Sequence, residues 1–184
     1  DANQTNQADP HYTGLRDRAR KEGDQMAHCF DESHRAYESG DGARAKELSN
    51  EGKKHKAEME RLNKEASDWI YYQNNTDSAV DEVDLHGLYV AEAVSRTEAA
   101  IQKAQSEGKN HLNIIVGKGL HSQGHVAKIK PAIEELMQKY NLAAELDPHN
   151  AGVLVVHLGQ GGQRGMGADE ITDRLDSNKD CIIM

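Results

Sequence analysis

The residues best suited to chemistry are Asp84 and His86, in the stretch VDLHGLYVAEAV at 83–94. A strand-like apolar run stops there and a helix-like pattern begins at once. Side chains two apart on a strand share a face, so a carboxylate and an imidazole are presented together at a strand end. Such a pair is either an acid–base couple or a structural contact, in which Asp84 caps the following helix and His86 closes the turn. A second group of chemical side chains follows in GKGLHSQG at 117–124, where Lys118, His121 and Ser122 sit among glycines, with His125 just beyond. Glycines let backbone amides approach a phosphate closely.

The elements that must position these residues follow from periodicity. Val80 to Leu85 reads as a strand, and Val90, Val94, Thr97, Ile101 and Ala104 mark a helix ending near Gly108. Leu112 to Val116 is a second strand. Ile129, Ile133, Leu136 and Tyr140 mark another helix, in which Pro131 is tolerable only in the first turn. Leu142 to Leu146 and Val153 to Leu158 supply two more strands around DPHNAG. The order is strand, helix, strand, helix, strand, strand, which predicts an α/β fold in two layers with right-handed crossovers. If the first two strands are parallel, DLHG and GKGLHS lie at one sheet edge beside helix N-termini, whose free amides attract anions.

Charge singles out the same region. The chain of 184 residues has a net charge of −9, yet Gly108 to Ile133 holds no acidic residue and carries Lys109, Lys118, Lys128 and Lys130. A uniformly basic nucleic-acid surface is excluded, whereas a local polyanion site is not. The alternative is a pair of solvated lysine-bearing ends around a buried strand. GKG lacks the upstream glycine and the downstream Ser or Thr of a phosphate-binding P-loop, so no ATPase is indicated. Ser122 has a histidine nearby but no nucleophile elbow. Asp84, His86 and His121 are all metal-ligand types, but no short His–Cys framework fixes a geometry. Cys29 and Cys181 match neither a zinc nor a disulfide framework, which points to a reducing, intracellular setting. The sequence therefore leads to no metal and no cofactor.

The N-terminal part is of another class. Residues 1–10 are polar and aperiodic and read as a disordered lead-in. Residues 11–75 read as an antiparallel helical hairpin. Leu15, Ala19, Met26, Phe30 and Tyr37 form one stripe, GDG at 40–42 breaks it, and Ala45, Leu48, Gly52, His55, Met59, Leu62, Ala66 and Trp69 form the seam of the second helix. His55 lies on that seam and reads as a partnered interior histidine. QNNTDS at 73–78 is the expected boundary, with the α/β domain at 79–159.

VDLHGL, the GKGLHS loop after a strand, and NAGVLVVHL in a final strand, in this order, resemble the Smr (small MutS-related) domain over roughly residues 80–159. The preceding hairpin resembles the helical domain of unknown function that often precedes Smr in eukaryotic proteins. The resemblance implies a βαβαββ fold similar to the C-terminal domain of translation initiation factor three, with nucleic acid as the ligand. Family members include DNA-nicking enzymes and RNA endonucleases acting on messages at stalled or collided ribosomes. The resemblance ties the D-x-H pair, Asp84 and His86, to cleavage and the loop, Gly117 to Gly119, to binding. The expected function is a metal-independent endonuclease, RNA favoured over DNA, with Asp84, His86 and Lys118 catalytic. Gly117, Lys118, Gly119, His121, Ser122, His125, Lys128 and Lys130 would bind nucleic acid. The alternative is a non-catalytic nucleic-acid or ribosome-binding module.

Residues 160–184 have a flexible composition and close in CIIM, a C-a-a-X pattern with Met favouring farnesyl on Cys181. One lipid without a basic cluster gives marginal anchoring, so the expected location is cytoplasmic with a membrane-associated fraction.

Overall fold

A computed structural model describes residues 2–116, 129–150 and 152–159. The chain divides into two compact units, 1–70 and 71–184.

The first unit is helical. Residues Ala2–Gln7 form helix α1 where a disordered lead-in was expected. Ala2, Gln4 and Gln7 are good helix formers and the asparagines and Thr5 weaker ones but not breakers, and a turn from the Asp9 N–H to the Asn6 carbonyl closes the segment. Helix α2, Pro10–Glu38, begins on a strong start signal: Pro10 is its first residue, and the Asp9 carboxylate accepts the His11 N–H at 2.8 Å. Helix α3 runs Gly42–Asn75, and the Asp41 carboxylate accepts the Arg44 N–H near its start. Leu15, Ala19, Ala45, Leu48, Leu62 and Ala66 are buried as the two stripes require, Tyr12, Cys29 and Ile70 are buried beside them, and Met26, Phe30 and Trp69 are half-buried. Tyr37 departs from its stripe and is exposed, because α2 ends one residue later. Gly52 has a packing reason to be glycine: a Cβ there would lie 2.8 Å from the Phe30 ring.

In the second unit, β1 is Glu82–Asp84, α4 Val90–Ser106, β2 His111–Ile115, α5 Ile129–Tyr140, β3 Ala143–Leu146 and β4 Val153–His157. Each element falls where periodicity puts it, though β1 is half the expected length, with Val80 exposed before it. The sheet order is β1-β2-β4-β3. Strands β1 and β2 are parallel, with Asp84 opposite Ile115, while β4 runs antiparallel to both β2 and β3. Val83, Leu112, Ile114, Ala144, Leu154 and Val156 share one core with Ala93, Ile101 and Ala104 of α4 and Leu136 and Met137 of α5. A helical layer thus covers one sheet face. Pro131 is the third residue of α5, inside the first turn, where its missing N–H is harmless. The helices are clamped together by Glu98, whose carboxylate accepts from Lys139 Nζ at 2.6 Å and from the Tyr140 hydroxyl at 2.8 Å.

Candidate active site

The parallel pairing of β1 with β2 meets the condition on which convergence rested. Both strands end at one edge, and the Leu85 N–H donates to the Ile115 carbonyl at 2.9 Å where DLHG leaves the sheet. Strand β2 ends at this same edge, at Ile115 opposite Asp84. Lys109, by contrast, precedes β2 at the opposite edge, where its ammonium contacts the Val80 carbonyl and Glu107. It is therefore no part of a basic patch around Asp84.

Asp84 is 2% exposed, whereas the His86 side chain is 21% exposed. One carboxylate oxygen, Oδ1, accepts the His86 backbone N–H at 2.8 Å and meets His86 Nδ1 at 2.5 Å. The ring is thus fixed to its own backbone through a single acceptor. A carboxylate partner makes Nδ1 the protonated nitrogen, which leaves the Nε2 lone pair available. Among the described residues Nε2 has no hydrogen-bond partner. Gly87 follows with φ of +77°, a left-handed turn that glycine adopts without strain and that releases the chain toward α4. Capping of α4 falls to Tyr89, whose N–H donates to Glu92 Oε2 at 2.8 Å. Asp84 thus both engages the His86 ring and closes the turn at the His86 N–H.

Two residues outside the sequence-derived site hold this segment. The Asn75 side-chain amide accepts the Asp84 N–H and donates to the Asp84 carbonyl, both at 2.8 Å. It stands beside β1 as the peptide group of a neighbouring strand would. The Asn74 side chain, 8% exposed, donates to the His86 carbonyl at 2.9 Å. Both lie in QNNTDS, which reads from composition as a mere break. The available signal was two adjacent amides, each both donor and acceptor, placed shortly before a strand. Nearby, the Arg96 guanidinium lies 4.5 Å from the Tyr71 ring centre. Burial pushes the Tyr71 hydroxyl above its ordinary value, Arg96 offsets this in part, and the group stays a neutral phenol.

Gly117, Lys118, Gly119, His121, Ser122, His125 and Lys128 lie outside the described residues, as does Cys181. Lys130 is placed in α5 by its backbone alone. Of the metal set Asp84, His86 and His121, only the first two are described.

A family model described as the Smr domain matches residues 83–168, and one described as a domain of unknown function, DUF1771, matches residues 12–75. "Smr domain-containing protein C11H11.03c" of Schizosaccharomyces pombe is 40% identical over 147 residues, 80% of this chain and 71% of that protein. The chain belongs to the Smr domain family. The Saccharomyces cerevisiae protein named "Endonuclease NBR9" is 44% identical over 152 residues, covering 83% of this chain. The match spans 62% of that relative's length. The solved structure "Solution structure of the B3BP Smr domain" is 32% identical, covers 53% of this chain and 96% of that one, and has a TM-score of 0.43. In this Smr protein the D-x-H residues are Asp84 and His86, and the matched DUF1771 segment ends at Asn75, the residue bonded to Asp84.

Proposed function

We propose that this Smr protein is a nucleic-acid endonuclease that favours RNA and cuts without a metal, with His86 as the general base. The observation that carries the reading is the Asp84–His86 pair itself: a buried carboxylate fixing Nδ1 of an imidazole whose other nitrogen is without a partner among the described residues. Neutral imidazole is a competent base near neutral pH. Nε2 would take the proton of an RNA 2′-hydroxyl, and the 2′-oxygen would attack the adjacent phosphorus as the 5′-oxygen leaves and takes a proton from water. The products would be a 2′,3′-cyclic phosphate and a 5′-hydroxyl end. Asp84 would stabilise the imidazolium formed, and Lys118 with the loop amides would stabilise charge on the phosphate. The naming of a 44% identical relative as an endonuclease supports the same reaction class.

The test is incubation of the pure protein with labelled single-stranded and duplex RNA and DNA, with and without chelator. Cleavage of RNA that survives chelator, leaves a 5′-hydroxyl and is blocked by a 2′-deoxy substitution at the cut is the expected result. His86→Ala should abolish cleavage while leaving affinity and melting temperature nearly unchanged. An activity lost to chelator and restored by zinc would replace this mechanism with a metal-dependent one. A wild-type chain that binds but cuts nothing would make the pair structural and the protein a binding module.

A further inference from the structure

Within the helical unit, Cys29 of α2 and Glu51 and His55 of α3 bring a thiol, a carboxylate and an imidazole nitrogen together, with the three ligating atoms all within 4.8 Å of one another. Local geometry explains the grouping. Glu51 and His55 are four residues apart and so lie one turn apart on one helix face. Cys29 is the neighbour of Phe30, whose ring packs against Gly52 of that same helix. The cluster is graded in depth, with Cys29 5% exposed, the His55 side chain 27% exposed and Glu51 at the surface. A fourth residue completes it: Glu22 Oε2 lies 2.6 Å from His55 Nδ1. A carboxylate holding one ring nitrogen orients the ring and leaves the other nitrogen with its lone pair, as the partners of metal-bound histidines do. Beside the cluster a depression lined by Glu47, Asn50, Glu51, Lys54 and His55 gives a hydrated ion a way in.

We propose that the α2–α3 hairpin carries a zinc site in which Cys29, Glu51 and His55 are the ligands and Glu22 orients His55. The donor set selects the metal: calcium and magnesium take oxygen ligands, whereas one thiolate, one imidazole and one carboxylate suit zinc. Three protein ligands leave the fourth tetrahedral position to water. Tetrahedral zinc holds its ligand atoms about 3.5 Å apart, so the cluster closes by roughly 1 Å at most, within the reach of side-chain rotation. Binding forms a sulfur–zinc bond as the Cys29 thiol releases its proton to solvent. Burial and the Glu51 carboxylate push that thiol above its ordinary pKa, and the ion reverses both effects by neutralising the thiolate and drawing the carboxylate onto itself. Because the ligands come from both helices, the ion cross-links them. This site was not visible as a sequence framework, since its ligands meet across the hairpin and not along one segment.

Cobalt(II), a spectroscopic substitute for zinc, is titrated into the full chain carrying Cys181→Ser, which leaves Cys29 as the one thiol. A thiolate-to-cobalt charge-transfer band should saturate at one ion per chain and vanish when zinc displaces cobalt. Zinc should raise the melting temperature by about 5 °C or more. Adding Cys29→Ser should remove the band, and Glu51→Gln, His55→Ala and Glu22→Gln should each weaken binding roughly tenfold or more. Absence of the band in the folded Cys181→Ser chain overturns the proposal. So does an affinity unchanged by both Glu51→Gln and His55→Ala. Should His55→Ala fail to fold, Glu51→Gln, at an exposed position, decides alone.

Discussion

Asp84 and His86 form a pair in which one member is hidden and the other reaches solvent, and the division of labour follows from that difference. An asparagine at 84 would keep the shape but could present its NH2 group to Nδ1. The ring would then protonate Nε2 instead and lose the lone pair on which the proposed cleavage depends. Asp84→Asn should therefore lower the cleavage rate about a hundredfold or more, measured in single turnover, while circular dichroism reports an unchanged fold. Retention of full rate would remove Asp84 from the mechanism. A second residue makes the opposite case, a polar group that the fold tolerates without using. Thr97 of α4 is 1% exposed, and its hydroxyl has no hydrogen-bond partner among the described residues. Valine has nearly the same shape and no polar atom to desolvate. Thr97→Val should raise stability by about 1 kcal/mol in denaturant unfolding, and destabilisation would mean the hydroxyl is satisfied in solution.

Helices α4 and α5 are joined at their surface by the Glu98–Lys139–Tyr140 cluster, and that joint titrates. Hydrogen bonds from Lys139 and Tyr140, and the Lys139 charge, hold the Glu98 carboxyl below its ordinary 4.5, while Glu98 holds the Lys139 ammonium above its ordinary 10.5. A lowered acid stabilises the fold above its unfolded value and ceases to as pH falls through its folded value. A raised base does so below its unfolded value and ceases to as pH rises through its folded one. The contribution is thus full between 4.5 and 10.5 and fades on either side. Glu98→Gln should lower the melting temperature slightly at neutral pH, and its difference from wild type should vanish under acid conditions; a difference that persists in acid would contradict the ionic origin. The elements themselves were legible because their signals are local. Val90, Val94, Thr97, Ile101 and Ala104 recur at helical spacing, and the β2 and β4 runs are apolar and short. Parallel pairing of β1 with β2 followed from the helix between them. What was not legible lay in side-chain contacts between separate segments: the Asn74 amide on His86, the Asn75 amide on Asp84, and Glu22 on His55 depend on which surfaces meet. The Asp84–His86 hydrogen bond was legible in its members but not in its geometry, since two residues on one strand face need not touch.

At the scale of the whole molecule, the division between units falls inside α3, after Ile70, although composition puts it in the polar stretch 73–78. The last turn of α3 goes with the α/β unit because its side chains bond there and not because of its helical form. A chain beginning at Tyr71 should therefore unfold cooperatively and at a higher temperature than one beginning at Thr76, which lacks both asparagines. A buried group left without its partner costs about 1–3 kcal/mol, enough to separate the two melting curves by several degrees. Coincident curves would show that the asparagines contribute nothing to stability. The Asn75 amide has one more effect, on how copies of the molecule behave toward each other. Strand β1 is the outer strand on its side of the sheet, and without the Asn75 amide its outward N–H and carbonyl at Asp84 would be a template on which another chain could add a strand. Asn75 fills that template at Asp84 from within the same chain. Asn75→Ala should reopen it and produce concentration-dependent oligomers, seen as a shift in sedimentation, in which the joining of two copies buries Asp84 and His86.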